Sequence, residues 1–125
     1  MSDTPLIAVV DDDEAVRDAL LSLLQVEGLG ARGYPSAGAF LIDFATIEFS
    51  CLITDVRMPG MGGLELQCCL TTMGSSIPII FVTSAEDSAT LAQAKAAGAA
   101  GFFNKPLAIV EFLQCLRDVL GSEAG

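Results

Sequence analysis

The chain has 125 residues, about the length of one ordinary domain. Apolar residues make up 52% and charged residues 18%, which excludes a disordered chain, and apolar runs such as 6–10 and 77–82 stop well short of the ~18 residues a membrane span needs. Sixteen acids against six bases give a formal charge of −10, with Arg17, Arg32, Arg57, Lys95, Lys105 and Arg117 scattered along the chain. That distribution argues against direct binding of nucleic acid, and an acidic surface suits a divalent cation or a basic partner.

There is no histidine, which excludes Ser-His-Asp and Cys-His catalysis, imidazole metal sites and a phosphohistidine carried by this chain. Cys51, Cys68, Cys69 and Cys115 form no CxxC pair and read as reduced thiols serving as small apolar residues. The start, Met1-Ser2-Asp3-Thr4-Pro5, has no basic segment leading into a long apolar one. A soluble, cytoplasmic protein with no membrane contact is expected.

In chain order, Leu6–Val10 is a continuous apolar, β-prone run that ends at Asp11-Asp12-Asp13-Glu14. Apolar character on both sides marks a strand covered on each face by helices. Ala15, Val16, Ala19, Leu20, Leu23 and Leu24 recur at helical spacing, with Asp13 and Glu14 at the favourable N-terminal end and Gly28 closing the helix. A short strand is predicted over 31–34, then a weaker helix opened by Pro35-Ser36 and running to about Phe44. Residues 51–54 form a third strand ending at Asp55, followed by a Gly- and Pro-rich loop from Arg57 to Gly63. A helix is predicted over 64–73, a strand over 77–82, an Ala-rich helix over 86–97 and a fifth strand over 100–104. A last helix places Ile109, Leu113, Leu116 and Leu120 on one face before fading into residues 121–125.

Five strands alternating with five helices make a (βα)5 α/β protein, and right-handed crossovers favour a doubly wound, five-stranded parallel sheet. In such sheets function gathers at the carboxyl ends of the strands. Asp11 and Asp12 follow the first strand, Asp55 the third, Thr83 and Ser84 the fourth, and Lys105 the fifth. Each has an ordinary reading, as helix cap, turn residue or surface lysine, but six such residues at the ends of four strands point to one site. Crowded carboxylates repel, and Mg²⁺, which takes oxygen ligands and leaves positions for water and phosphate, resolves the conflict. Lys105 and Thr83 would meet the remaining phosphoryl oxygens, and Asp55 is the expected nucleophile.

At these residues the chain resembles the receiver domains of two-component response regulators. The motifs are Val9-Val10-Asp11-Asp12, Leu52-Ile53-Thr54-Asp55-Val56-Arg57-Met58-Pro59, Val82-Thr83-Ser84-Ala85 and Gly98-Ala99-Ala100-Gly101-Phe102-Phe103-Asn104-Lys105-Pro106. The stretch from Asp55 to Leu66 is especially similar to receivers joined to LuxR-type output domains that regulate transcription. The resemblance covers residues 5 to about 120 and implies one receiver domain over 1–125, with the flavodoxin-like, CheY-like strand order 2-1-3-4-5. It implies that Asp55 accepts a phosphoryl group from a sensor histidine kinase or a histidine phosphotransfer protein. Asp11, Asp12, Asp55 and the Arg57 backbone carbonyl would hold Mg²⁺, or Mn²⁺ in its place. Lys105 would pair with Asp55 and then with the phosphoryl group, and Thr83 would move inward to bond that group. Phe102 stands at the family's rotating aromatic, and Lys105-Pro106 at its cis peptide. Arg57 and Ala85 occupy positions that tune dephosphorylation, and neither orients or activates water, so slow to moderate loss of phosphate is expected. The fourth helix, fifth strand and fifth helix would carry the switched surface, and with it phosphorylation-dependent dimerisation.

Two rivals share parts of this pattern. Residues 11–15 resemble the DxDx[TV] signature of haloacid-dehalogenase phosphatases, although Ala15 fails its last position. A receiver-like interaction module that works without phosphorylation would not need the full Asp, Thr and Lys set. A flavodoxin relative shares the topology but would need a Ser/Thr/Gly-rich phosphate loop after the first strand, which this chain lacks.

Overall fold

A computed structural model describes residues 4–84 and 88–124, with side chains through Gly121. The elements alternate as β1 (Leu6–Val10), α1 (Glu14–Val26), β2 (Gly30–Tyr34), α2 (Ala37–Phe44), β3 (Cys51–Thr54), α3 (Gly63–Thr72), β4 (Ile79–Thr83), α4 (Ser88–Ala96), β5 (Gly101–Asn104) and α5 (Ile109–Ala124). All the strand pairings are parallel, and the sheet order is β2-β1-β3-β4-β5, as the (βα)5 reading required. β3 is central and β1 lies beside it, with Val10 opposite Thr54. That register brings Asp11 and Asp55, the next residue on each strand, to the same edge.

Because strand side chains alternate in direction, the sheet feeds two cores. Ala8, Val10, Leu52 and Phe81 pack with Phe40 of α2, Leu66 and Leu70 of α3 and Ala94 of α4. Ile7, Val9, Ile53, Ile80 and Val82 pack with Leu20 and Leu24 of α1 and Phe112 and Leu116 of α5. Helices therefore cover both faces, which is why β1, β3 and β4 read as unbroken apolar runs.

The caps follow local chemistry. Asp13 accepts from the amides of Ala15 and Val16 at the start of α1, and Ser36 accepts from Ala39 at the start of α2. At α3 the Glu65 carboxylate reaches back 2.8 Å to the Gly62 amide.

The structure shifts several predicted boundaries by one or two residues, and the helix predicted over 86–97 is seen as Ser88–Ala96, with 85–87 outside the described residues. One face is corrected. Ile109 is 51% exposed, and the buried side of α5 runs through Phe112 and Leu116. Ile109 lies in the first turn of α5, at the carboxyl edge, where it lines an apolar groove of about 570 Å³ with Val16, Leu23 and Leu107 rather than entering the core. Ala15 and Ala19 are likewise exposed on α1. Among the described residues, no helix is long and apolar enough to cross a membrane.

Candidate phosphoacceptor site

The carboxyl edge gathers side chains from four strands. Asp11 and Asp55 are buried at the ends of β1 and β3, whereas Asp12 is exposed. One carboxylate oxygen from each of these three lies within 4.8 Å of the others. Lys105, the residue after β5, places its Nζ 3.1 Å from Asp55 Oδ2 and 3.4 Å from Asp11 Oδ2. Thr83, the last residue of β4, donates its hydroxyl to Asp55 Oδ1 at 2.6 Å, and the Arg57 amide donates to the same oxygen at 3.2 Å. The Lys105–Pro106 peptide is cis.

Backbone bonds hold these groups in register. The Asp11 amide donates to the Tyr34 carbonyl and the Asp55 amide to the Val10 carbonyl, so the acids stay tied to the neighbouring strand after their own strand ends. The Lys105 amide likewise donates to the Thr83 carbonyl.

Burial raises the pKa of Asp11, and the nearby Asp55 charge adds to it; the Asp13 amide and Lys105 oppose the shift without cancelling it. Lys105 is also desolvated, which lowers its pKa, but its hydrogen bond to Asp55 and the charges of Asp11 and Asp55 outweigh this and leave it raised. The site thus has more negative charge than its one ammonium neutralises. A hard divalent cation fits that imbalance, and the donor set is all oxygen.

Thr83 departs from expectation. Its inward contact was expected to await a phosphoryl group, yet its hydroxyl already bonds the unmodified carboxylate. Phe102 is half-buried and packs on Phe81, with ring centroids 5.8 Å apart. Ala85 lies outside the described residues. Asp13, on which the dehalogenase-like reading depends, points its Oδ1 at two amides of α1.

Three contributors escaped the sequence reading. The Asp13 amide donates to Asp11 Oδ1 at 2.9 Å, and Arg17 Nη1 donates to the Asp11 carbonyl at 2.8 Å. At Gly63 a Cβ would lie well inside contact distance of the Asp55 carbonyl oxygen and 3.0 Å from the Phe81 ring. The Gly62-Gly63 pair ahead of a helix was the available signal for that close approach.

The sequence profile of the response regulator receiver domain matches residues 7–117. The response regulator protein TmoT of Ectopseudomonas mendocina is 44% identical over 115 residues, covering 92% of this chain and 52% of that protein. The transcriptional regulatory protein FixJ of Azorhizobium caulinodans is 38% identical over 118 residues, covering 94% of this chain and 56% of FixJ. The chain spans about half the length of these relatives. Among solved structures, the response regulator StyR superposes with a TM-score of 0.89 at 37% identity, covering 98% of this chain and 62% of StyR. The crystal structure of FixJ-N superposes with a TM-score of 0.86 at 32% identity, covering 97% of this chain and 96% of that one. With the sheet order, the acid cluster and the profile in agreement, this chain belongs to the response regulator receiver domain family of two-component signalling.

Proposed function

We propose that Asp55 is the phosphoacceptor of this receiver. A carboxylate oxygen of Asp55 attacks the phosphorus of a phosphohistidine on a partner kinase or phosphotransfer protein. The P–N bond breaks, its electron pair stays on the imidazole nitrogen, and that nitrogen takes a proton from solvent. Lys105 offsets the negative charge at Asp55 Oδ2, and the Thr83 hydroxyl transfers from the carboxylate to a phosphoryl oxygen. Asp11, Asp12 and Asp55, with the Arg57 carbonyl, would hold Mg²⁺ or Mn²⁺, which when bound adds positive charge where the transferring oxygens gather. The observation that carries this reading is the convergence of three carboxylates, Thr83 and Lys105 on one sheet edge.

The chain acts as a switch rather than a turnover enzyme. Residues 5–120 form the receiver unit, and its conformational change passes through Phe102 to the surface of α4, β5 and α5. That surface governs an output domain, homodimerisation or both, in the cytoplasm. Relatives named as transcriptional regulators support a role in gene control. Arg57 and Ala85 leave attacking water unassisted, so the phosphorylated form outlasts a few seconds.

Incubation with acetyl phosphate and Mg²⁺, read by intact mass, tests the assignment. The wild-type protein should gain one phosphoryl group and Asp55→Asn none, with its folded spectrum unchanged. Labelling of the Asp55→Asn protein would refute it.

A further inference from the structure

Arg17 occupies a position that helix physics does not favour. It lies in the first turns of α1, four residues after the Asp13 cap and near the positive end of the helix dipole, where a cation is destabilising. It is half-buried, and its guanidinium Nη1 donates to the main-chain carbonyl of Asp11 at 2.8 Å. Its stem runs beside Gly33, where a Cβ would come within 3.1 Å of its Cγ and Cδ. The bare glycine on β2 therefore leaves the channel through which the arginine reaches back to the end of β1.

That bond completes the anchoring of Asp11. The residue's amide donates to Tyr34, its Oδ1 accepts from the Asp13 amide, its Oδ2 faces Lys105, and its carbonyl accepts from Arg17. The Asp11 carbonyl belongs to the peptide that leads into Asp12. Asp12 is exposed, and the direction of its side chain depends on that peptide plane. A charge-assisted bond to the carbonyl is well suited to hold the plane still.

We propose that Arg17 is a positioning residue for the cation site: by holding the Asp11–Asp12 peptide it sets the Mg²⁺ affinity of the acid cluster without contacting the ion. The inference rests on the receiver reading of that cluster. Its sign distinguishes it from simple electrostatics. If Arg17 acted only as a nearby positive charge, its removal would strengthen Mg²⁺ binding; if it holds the loop, removal weakens it.

The test compares wild type with Arg17→Met, which keeps an unbranched stem and helix propensity but loses the donor, and with Arg17→Lys. The Mg²⁺ dissociation constant is read from amide shifts of Asp11, Asp12 and Asp13 during titration with MgCl₂. Removal of a residue that orients a metal ligand commonly weakens affinity 10–100-fold, and about 10-fold is expected for Arg17→Met, with Arg17→Lys in between. At saturating Mg²⁺ the labelling rate from acetyl phosphate should return to within about threefold of wild type, because the reacting groups are intact. Where Arg17→Met does not fold, Arg17→Leu, which also lacks a donor, carries the same expectation. An Arg17→Met or Arg17→Leu protein that binds Mg²⁺ as tightly as wild type, or more tightly, overturns the inference. A wild-type protein showing no Mg²⁺ shift at residues 11, 12 and 55 would instead bring down the receiver reading, and this inference with it.

Discussion

Thr83 Oγ1 lies 2.6 Å from Asp55 Oδ1, a hydrogen bond between residues 28 apart in sequence that joins the ends of two adjacent strands. Both side chains are buried. The hydroxyl therefore supports the carboxylate before any phosphoryl group arrives. Replacing it should affect both stability and chemistry. Thr83→Ala is expected to lose about 1.5–3 kcal/mol, the usual range for a hydrogen bond to a charged group, in urea unfolding without Mg²⁺. Labelling by acetyl phosphate should slow by about tenfold, as expected for loss of one pre-placed donor of modest strength. Thr83→Ser should recover most of both losses, and an unimpaired alanine variant would show that the contact is incidental.

Asp11 and Lys105 should respond in opposite directions. Folding raises the Asp11 pKa above 3.8, so the native state holds that proton more tightly than the unfolded chain. The sign follows from linkage: stability falls as pH rises from the ordinary carboxylate value through the raised one. Asp11→Asn should therefore raise the Tm of the metal-free protein at pH above that window, and the gain should vanish below the ordinary carboxylate range. Lys105→Met should destabilise it by roughly 1–3 kcal/mol, because two buried acids lose their partner. Saturating Mg²⁺ should shrink both effects. Thermal melts with and without Mg²⁺ check all three statements, and a destabilised Asp11→Asn protein would contradict the charge imbalance.

Tyr34 offers a clean titration because it is the single tyrosine of a chain without tryptophan. Burial and the hydrogen bond to Asp43 Oδ2, 2.6 Å from its hydroxyl, push its pKa up to about 12. Phenolate absorbance should show one transition near that value in the folded protein and one near 10.0 in urea. The neutral form is the native one. Its contribution to stability is therefore complete below the unfolded pKa and is lost as pH rises toward the folded value. Tyr34→Phe should remove that part of the alkaline slope.

Gly63 tests how closely the helix start approaches the phosphoacceptor strand. An alanine methyl would collide with the Asp55 carbonyl and press on Phe81, and neither is the free end of a flexible chain. Gly63→Ala should cost about 1–3 kcal/mol, the usual range for overpacking, despite the better helix propensity of alanine. It should also disturb the Asp55 and Val56 amides in the spectrum. Chemical denaturation at wild-type stability would show that α3 shifts away without cost.

Much of this protein was legible before folding was considered. The alternation of apolar runs and helical periods depends on neighbours a few residues apart, and so does the placement of an acid, a hydroxyl or a lysine just after a strand. Asp11, Asp12, Asp55, Thr83 and Lys105 could therefore be picked out together from local pattern and the right-handed crossover rule. What local pattern leaves open is any distance between residues remote in the chain. Lys105 reaches Asp11 across 94 residues only because parallel pairing brings every strand end to one edge. The burial of Phe112 in place of Ile109 was decided by how α5 docks, since both fit an apolar stripe of the same period. The inward Thr83 hydroxyl and the Arg17 bond to the Asp11 carbonyl were decided by packing against another element, and no spacing rule encodes a side chain's choice of partner.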